Sequence, residues 1–177
     1  MRVLCALLLC AVILAMLGLR PAGDPEEPSP LIGKPAPDVL GGEWINSSPI
    51  SLAGLRGKVV LLEFWTYGCT NCRNTLPYLK SWNEKYKSRA FLLLGVHTPE
   101  FDSEKPPARV AEAARSLGLT YPIVTDNSFK VWESYHQAYW PALYLIDKSG
   151  IVRYCHVGEG GYRETERQIE LLLDRPS

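Results

Sequence analysis

The hydrophobic pattern divides the chain into three stretches. Residues Val3 to Leu19 form 17 uncharged positions bracketed by Arg2 and Arg20. As a helix this run would span ~25 Å, just under the ~30 Å hydrocarbon core of a bilayer. Residues 1–20 therefore read as a signal anchor or a signal peptide. No clean A-x-A site follows the run, which favours the retained anchor. Leu7-Leu8-Leu9-Cys10 also lacks the small residues of a lipoprotein cleavage box. Residues 21–37 then hold six prolines, and proline lacks an amide donor and fixes φ, so this stretch reads as a semi-rigid linker. Residues 38–177 carry the periodic patterns of a single globular domain.

Within that domain the patterns alternate between two kinds. Trp44-Ile45 and Pro49 to Leu52 flank Asn46-Ser47-Ser48 and suggest a hairpin. Lys58 to Trp65 (KVVLLEFW) is a nearly continuous apolar run, as expected of a strand covered on both faces. Leu76, Leu79, Trp82 and Tyr86 recur at helical spacing and predict a helix over Cys72 to Ser88, bent at Pro77. Ala90 to Val96 predicts a second buried strand, Pro106 to Leu117 a helix ended by Gly118, and Tyr121 to Thr125 a short strand. Ser128 to Gln137 predicts another helix. Ala142 to Asp147 and Ile151 to Val157 predict a hairpin turning at Lys148-Ser149-Gly150, before a closing amphipathic helix over Arg163 to Leu173. Alternating strands and helices followed by a hairpin and a last helix describe an α/β domain. Its mixed β-sheet should carry helices on both faces.

Charge narrows the partners. The chain has 19 Lys+Arg and 19 Asp+Glu, which argues against nucleic-acid binding. The first 30 residues hold two basic and three acidic groups, leaving 17 basic against 16 acidic in the remainder. Long-range steering of a charged substrate is therefore not expected.

Five cysteines divide into Cys5 and Cys10 in the apolar run, the C-x-x-C pair Cys69 and Cys72, and Cys155 in the last predicted strand. Cys69 and Cys72 lie in FWTYGCTNCRNTLP, where a buried strand gives way to a helix. Unpaired amides and the helix dipole at such a junction stabilise a thiolate on Cys69. Cys72 is then placed to resolve a mixed disulfide, which suits thiol–disulfide exchange. Glu63 lies within VVLLEFW, where an isolated carboxylate is costly to ionise, so its pKa is expected to rise. That suits proton exchange with Cys72. Tyr67 and Trp140 are candidates for an apolar rim that contacts substrate, whereas Trp65 reads as core. His97 is a weaker candidate for tuning Cys69, and Cys155 reads as a small buried hydrophobe.

These residues resemble the thioredoxin superfamily, and within it the membrane-anchored extracytoplasmic branch of TlpA/ResA-type proteins and the thioredoxin-like (redoxin) domain of DipZ. The resemblance covers roughly residues 31–173. It rests on FWTYGCTNCRNTLP, on GVHTPEF at Gly95 to Phe101, on YWPALYLID at Tyr139 to Asp147 and on GEGGY at Gly158 to Tyr162. It implies a nucleophilic Cys69, a resolving Cys72, a buried acid at Glu63 and a cis-proline at Pro141. It also implies a periplasmic or outer-face location and reduction of client disulfides, apocytochrome c during cytochrome c maturation among them. Electrons would come from a membrane donor of the CcdA/DsbD type. No cofactor is expected. Two alternatives remain open. Thr66-x-x-Cys69 matches half of the peroxiredoxin signature P-x-x-x-T-x-x-C, although Leu62 stands at the proline position, so a thiol peroxidase with Cys72 as resolving cysteine is the second reading. A structural zinc site is the third, with few ligands beyond the C-x-x-C.

Overall fold

A computed structural model describes residues 29–175. The expected anchor at 1–20 and the first eight residues of the linker at 21–37 lie outside the described residues. Among the described residues no helix is long and apolar enough to cross a membrane.

The apolar run forms β2 (Val59–Trp65), in which every residue is buried. Successive side chains point to opposite faces, so Val59, Leu61, Glu63 and Trp65 share one face and Val60, Leu62 and Phe64 the other. β2 lies at the centre of a six-stranded sheet of order β1-β4-β3-β2-β5-β6. β3 (Phe91–His97) runs parallel to β2, and β4 (Ile123–Thr125) runs parallel to β3. β5 (Ala142–Ile146) and β6 (Val152–Val157) form the antiparallel hairpin on the other side. The mixed sheet expected from the patterning is therefore present.

Each face of the sheet has its own core. On one side Val59, Leu61, Leu93 and Leu143 pack beneath three helices. These are α1 (Thr70–Tyr86) through Leu76, Leu79 and Trp82, α2 (Pro107–Ser116) through Val110 and Ala114, and α4 (Tyr162–Asp174) through Ile169 and Leu172. On the other side Val60, Leu62, Phe64 and Tyr144 are covered by the short α3 (Lys130–Ser134) and by residues 31–55.

Four expectations need correction. Trp44–Ile45 is β1, but its partner is β4, not residues 49–52. Asn46 explains the change: it sits at φ 66°, and its Nδ2 donates to the carbonyls of Leu119 and Tyr121 at 3.0 Å each, which fastens the chain beside β4. Leu52–Leu55 is instead a 3-10 turn capped by Ser51. The helix expected over Ser128 to Gln137 shrinks to the five residues of α3, because Phe129 and His136 both take positive φ. Helix α1 starts two residues early and runs continuously through Pro77. Finally, the described end of the proline-rich stretch belongs to the domain. Leu31 is buried, Gly33 donates to Val152 O at 2.8 Å, and Pro35 bridges to Ile151.

An Asn46→Ala substitution loses two hydrogen bonds and places a methyl group at positive φ, so it should cost about 1–2 kcal/mol. Urea unfolding followed by circular dichroism measures this; an unchanged midpoint would contradict the role given to Asn46.

Candidate active site

The site is built where β2 ends. Residues Thr66 to Gly68 carry the chain off the strand, and Cys69 becomes the N-cap of α1. Its sulfur plays the part that a serine or aspartate oxygen takes at other helix starts, accepting the Cys72 amide at 3.2 Å. A negative charge on Cys69 Sγ thus meets an aimed N–H and the positive end of the helix dipole. Cys69 is half-buried and Cys72 fully buried, and both are thiols. One sulfur is accessible to a partner while the other is held behind it.

Burial pushes the Cys72 thiol well above the ordinary range, and its hydrogen bond to Cys69 adds to the effect. Glu63 lies on the same sheet face, also fully buried. Burial raises its carboxyl to about 8, against a smaller opposing effect of the hydrogen bond from Tyr121. That bond runs from Tyr121 Oη to Glu63 Oε2 at 3.1 Å, and among the described residues Oε1 has no partner. Cys72 and Glu63 interact electrostatically, each disfavouring a second negative charge in the same apolar space. A proton shared between them therefore has a physical basis. Gly95, opposite Glu63 on β3, makes room for this arrangement. A methyl group there would lie 3.0 Å from Trp65 Nε1 and 3.3 Å from the Tyr121 ring.

The structure sorts the remaining candidates. The Trp140–Pro141 bond is cis, and Trp140 lines a groove with Gly68, Cys69, Thr70, Asn71 and Glu100. Pro141 itself is buried, its carbonyl accepting the Gly158 amide at 2.7 Å. Tyr67 does not line the groove. Its ring stacks on His97 at 5.5 Å and its hydroxyl donates to Ser103 O at 3.0 Å, so it braces the loop. His97 is buried, and that burial lowers its pKa to about 4, leaving a neutral ring at physiological pH. Its Nε2 lies 3.2 Å from Thr66 Oγ1, which makes it a buttress of the loop rather than a neighbour of Cys69. Cys155 is half-buried against the second core and interacts with Tyr144.

Two residues escaped sequence reasoning. Tyr121 was placed in a strand with no sign that it would reach Glu63. Glu104 looked like a loop acid, yet it is buried: its Oε1 accepts the Gly68 amide at 3.1 Å, and its Oε2 accepts those of Glu100 and Phe101 at 2.8 and 3.3 Å. Among the described residues no group of three or more His, Cys, Asp or Glu converges to hold a metal ion.

Comparison with known proteins bears on this geometry. The model of the AhpC/TSA family matches residues 32–155. The chain belongs to that family. It is 46% identical over 143 residues to the protein DipZ of Mycobacterium tuberculosis, covering 78% of this chain but only 21% of DipZ. It is 31% identical over 147 residues to the thiol-disulfide oxidoreductase ResA of Geobacillus kaustophilus, covering 83% of this chain and 81% of ResA. A crystal structure of a thioredoxin-like superfamily protein superposes with a TM-score of 0.76 at 24% identity, over 81% of this chain and 98% of the other. The fold is thus thioredoxin-like, and relatives that align over most of their length are thiol–disulfide oxidoreductases.

The raised Glu63 pKa makes a prediction about stability. Unfolded, the carboxyl ionises near 4.5; folded, it holds its proton to about 8. The folded state therefore binds more protons across that window, and stability falls as pH rises through it. By pH 7 the cost is on the order of 3 kcal/mol at ~1.4 kcal/mol per unit. Glu63→Gln should gain on the wild type progressively from pH 5 to pH 8 in thermal unfolding. A constant difference across that range would show that Glu63 ionises normally.

Proposed function

We propose that the chain reduces disulfides in protein clients outside the cytoplasm, through the Cys69–Cys72 dithiol. The observation that carries this reading is the pairing of a half-exposed Cys69 at the helix N-cap with a buried Cys72 above a buried Glu63. Cys69 thiolate attacks one sulfur of the client disulfide, forming a mixed disulfide and expelling the other client sulfur as a thiolate that takes a proton from water. The carboxylate form of Glu63 then takes the Cys72 proton, Cys72 attacks Cys69 Sγ, and the second client sulfur leaves as a thiolate that takes a proton from water, so that Cys69–Cys72 is oxidised. Burial of Cys72 supports the reducing direction: it disfavours a second thiolate, so the reduced pair gains anionic stabilisation at Cys69 alone. Cys69, Cys72, Glu63 and Pro141 are the residues assigned to catalysis, with Trp140 contacting the client. The N-terminal apolar run supports a membrane-anchored, extracytoplasmic location. In that setting a membrane donor of the CcdA/DsbD type regenerates the dithiol, and apocytochrome c is a candidate client.

The thiol peroxidase reading finds less support. Its half-signature needs Thr66 to serve Cys69, but the Thr66 hydroxyl is paired with His97 Nε2. The chain should therefore accelerate insulin reduction by dithiothreitol and leave hydrogen peroxide untouched. Cys72→Ser should abolish turnover and accumulate client mixed disulfides at Cys69, visible as bands cleaved by reductant. Peroxide consumption at a comparable rate, or no trapped species, would overturn the assignment.

A further inference from the structure

Three hydrogen bonds made by side chains fasten the segment after β3 to the surroundings of Cys69. Trp140 Nε1 donates to Thr98 O at 3.1 Å, Tyr67 Oη to Ser103 O at 3.0 Å, and the Gly68 amide to Glu104 Oε1 at 3.1 Å. The last of these is the most constrained. Glu104 is 3% exposed, and a methyl group on residue 68 would lie 2.2 Å from its Oε1. The other oxygen of the same carboxyl holds the amides of Glu100 and Phe101. One buried side chain thus fixes two residues that line the groove, Gly68 next to Cys69 and Glu100.

Pinning the Glu100 backbone leaves its own carboxylate uncommitted. Among the described residues Glu100 is exposed, forms no ion pair, and is the charged residue lining the groove, where Thr70, Asn71, Tyr139 and Trp140 are neutral. Nearby cations do not neutralise it. Lys105 pairs with Asp102 at 2.7 Å, Arg109 donates to Ser103 O at 3.4 Å, and Arg73 does not line the groove. The start of α1 contributes partial positive charge of about half a unit. A full charge on Glu100 exceeds that, and a thiolate on Cys69 makes the groove more negative still. Within the near-neutral domain, the charge contributed by the groove's lining side chains is therefore negative.

Resting on the oxidoreductase reading above, we propose that the groove selects clients in which a Lys or Arg flanks the reacting cysteine. Glu100 pairs with that cation and orients the segment, while Glu104 holds Glu100 and Cys69 at a fixed separation. Glu100 is a specificity residue, and Glu104 a positioning residue acting through Gly68.

The test uses three peptides differing only in Lys, Gln or Glu beside one cysteine, each blocked as a mixed disulfide with neutral 2-thiopyridone. Cys69 attacks the peptide sulfur and expels pyridine-2-thione, which absorbs and takes a proton from water. Cys72 then displaces the peptide thiol, and dithiothreitol restores the dithiol. Each rate is divided by that of the same peptide with 2-mercaptoethanol, which removes intrinsic reactivity. For the full chain, kcat/KM should favour Lys over Gln by about two- to fivefold, as for an exposed ion pair, and Gln over Glu by a similar factor. High salt should compress the ratios. Glu100→Gln should flatten them and Glu100→Lys invert them. Equal rates for the three peptides, a preference for Glu, or a Lys preference that survives in Glu100→Gln overturns the proposal. Failure to turn over even the Gln peptide instead overturns the oxidoreductase reading on which it rests.

Discussion

Everything at this site depends on the hydrogen bond from the Cys72 amide to the Cys69 sulfur. It makes the proposed nucleophile part of the helix start. The same bond that completes the first turn of α1 fixes where Sγ points and how far Cys72 stands behind it. Strand β2 supplies the rigid base, since its seven residues are all buried and paired with β3, and Val60 to Phe64 also pair with β5. The reactive group is therefore held by elements of the scaffold, with only Thr66 to Gly68 between strand and cap.

Two buried carboxyls support that junction in opposite ways. Glu63 sits in apolar surroundings with one tyrosine donor, and burial keeps it protonated to about 8. Once ionised, such a carboxylate is a stronger base than an exposed glutamate, so it can take a proton from a neighbouring thiol. Glu104 is buried too, but three backbone amides surround it. That environment suits a permanent acceptor, and its work is structural: it joins the loop before Cys69 to the wall that carries Glu100. The difference lies in what each oxygen meets, not in depth.

The parts of this account legible in the sequence were those governed by local pattern. The run VVLLEFW placed Glu63 inside a buried strand, and the C-x-x-C at its end placed both thiols. The parts that were not legible depend on contacts between distant residues. Tyr121 reaches Glu63 across 58 positions and Glu104 reaches Gly68 across 36. Neither leaves a trace in periodicity. Trp44–Ile45 was recognised as a strand but given the nearest partner in sequence, because nothing local shows that Asn46 binds the carbonyls of Leu119 and Tyr121. Tyr67 was read as a rim residue from its place beside the motif. Its stacking on His97 and its bond to Ser103 give it a bracing position instead.

The central claim is that Cys69 and Cys72 work as one two-electron couple. It is tested most directly by equilibrating the chain in graded glutathione buffers, quenching with acid, alkylating free thiols and locating the label by mass spectrometry. The account predicts that Cys69 and Cys72 lose label together along a single two-electron curve, while Cys155 keeps its label throughout. Independent loss of label at the two positions, or a disulfide joining either of them to Cys155, would contradict it.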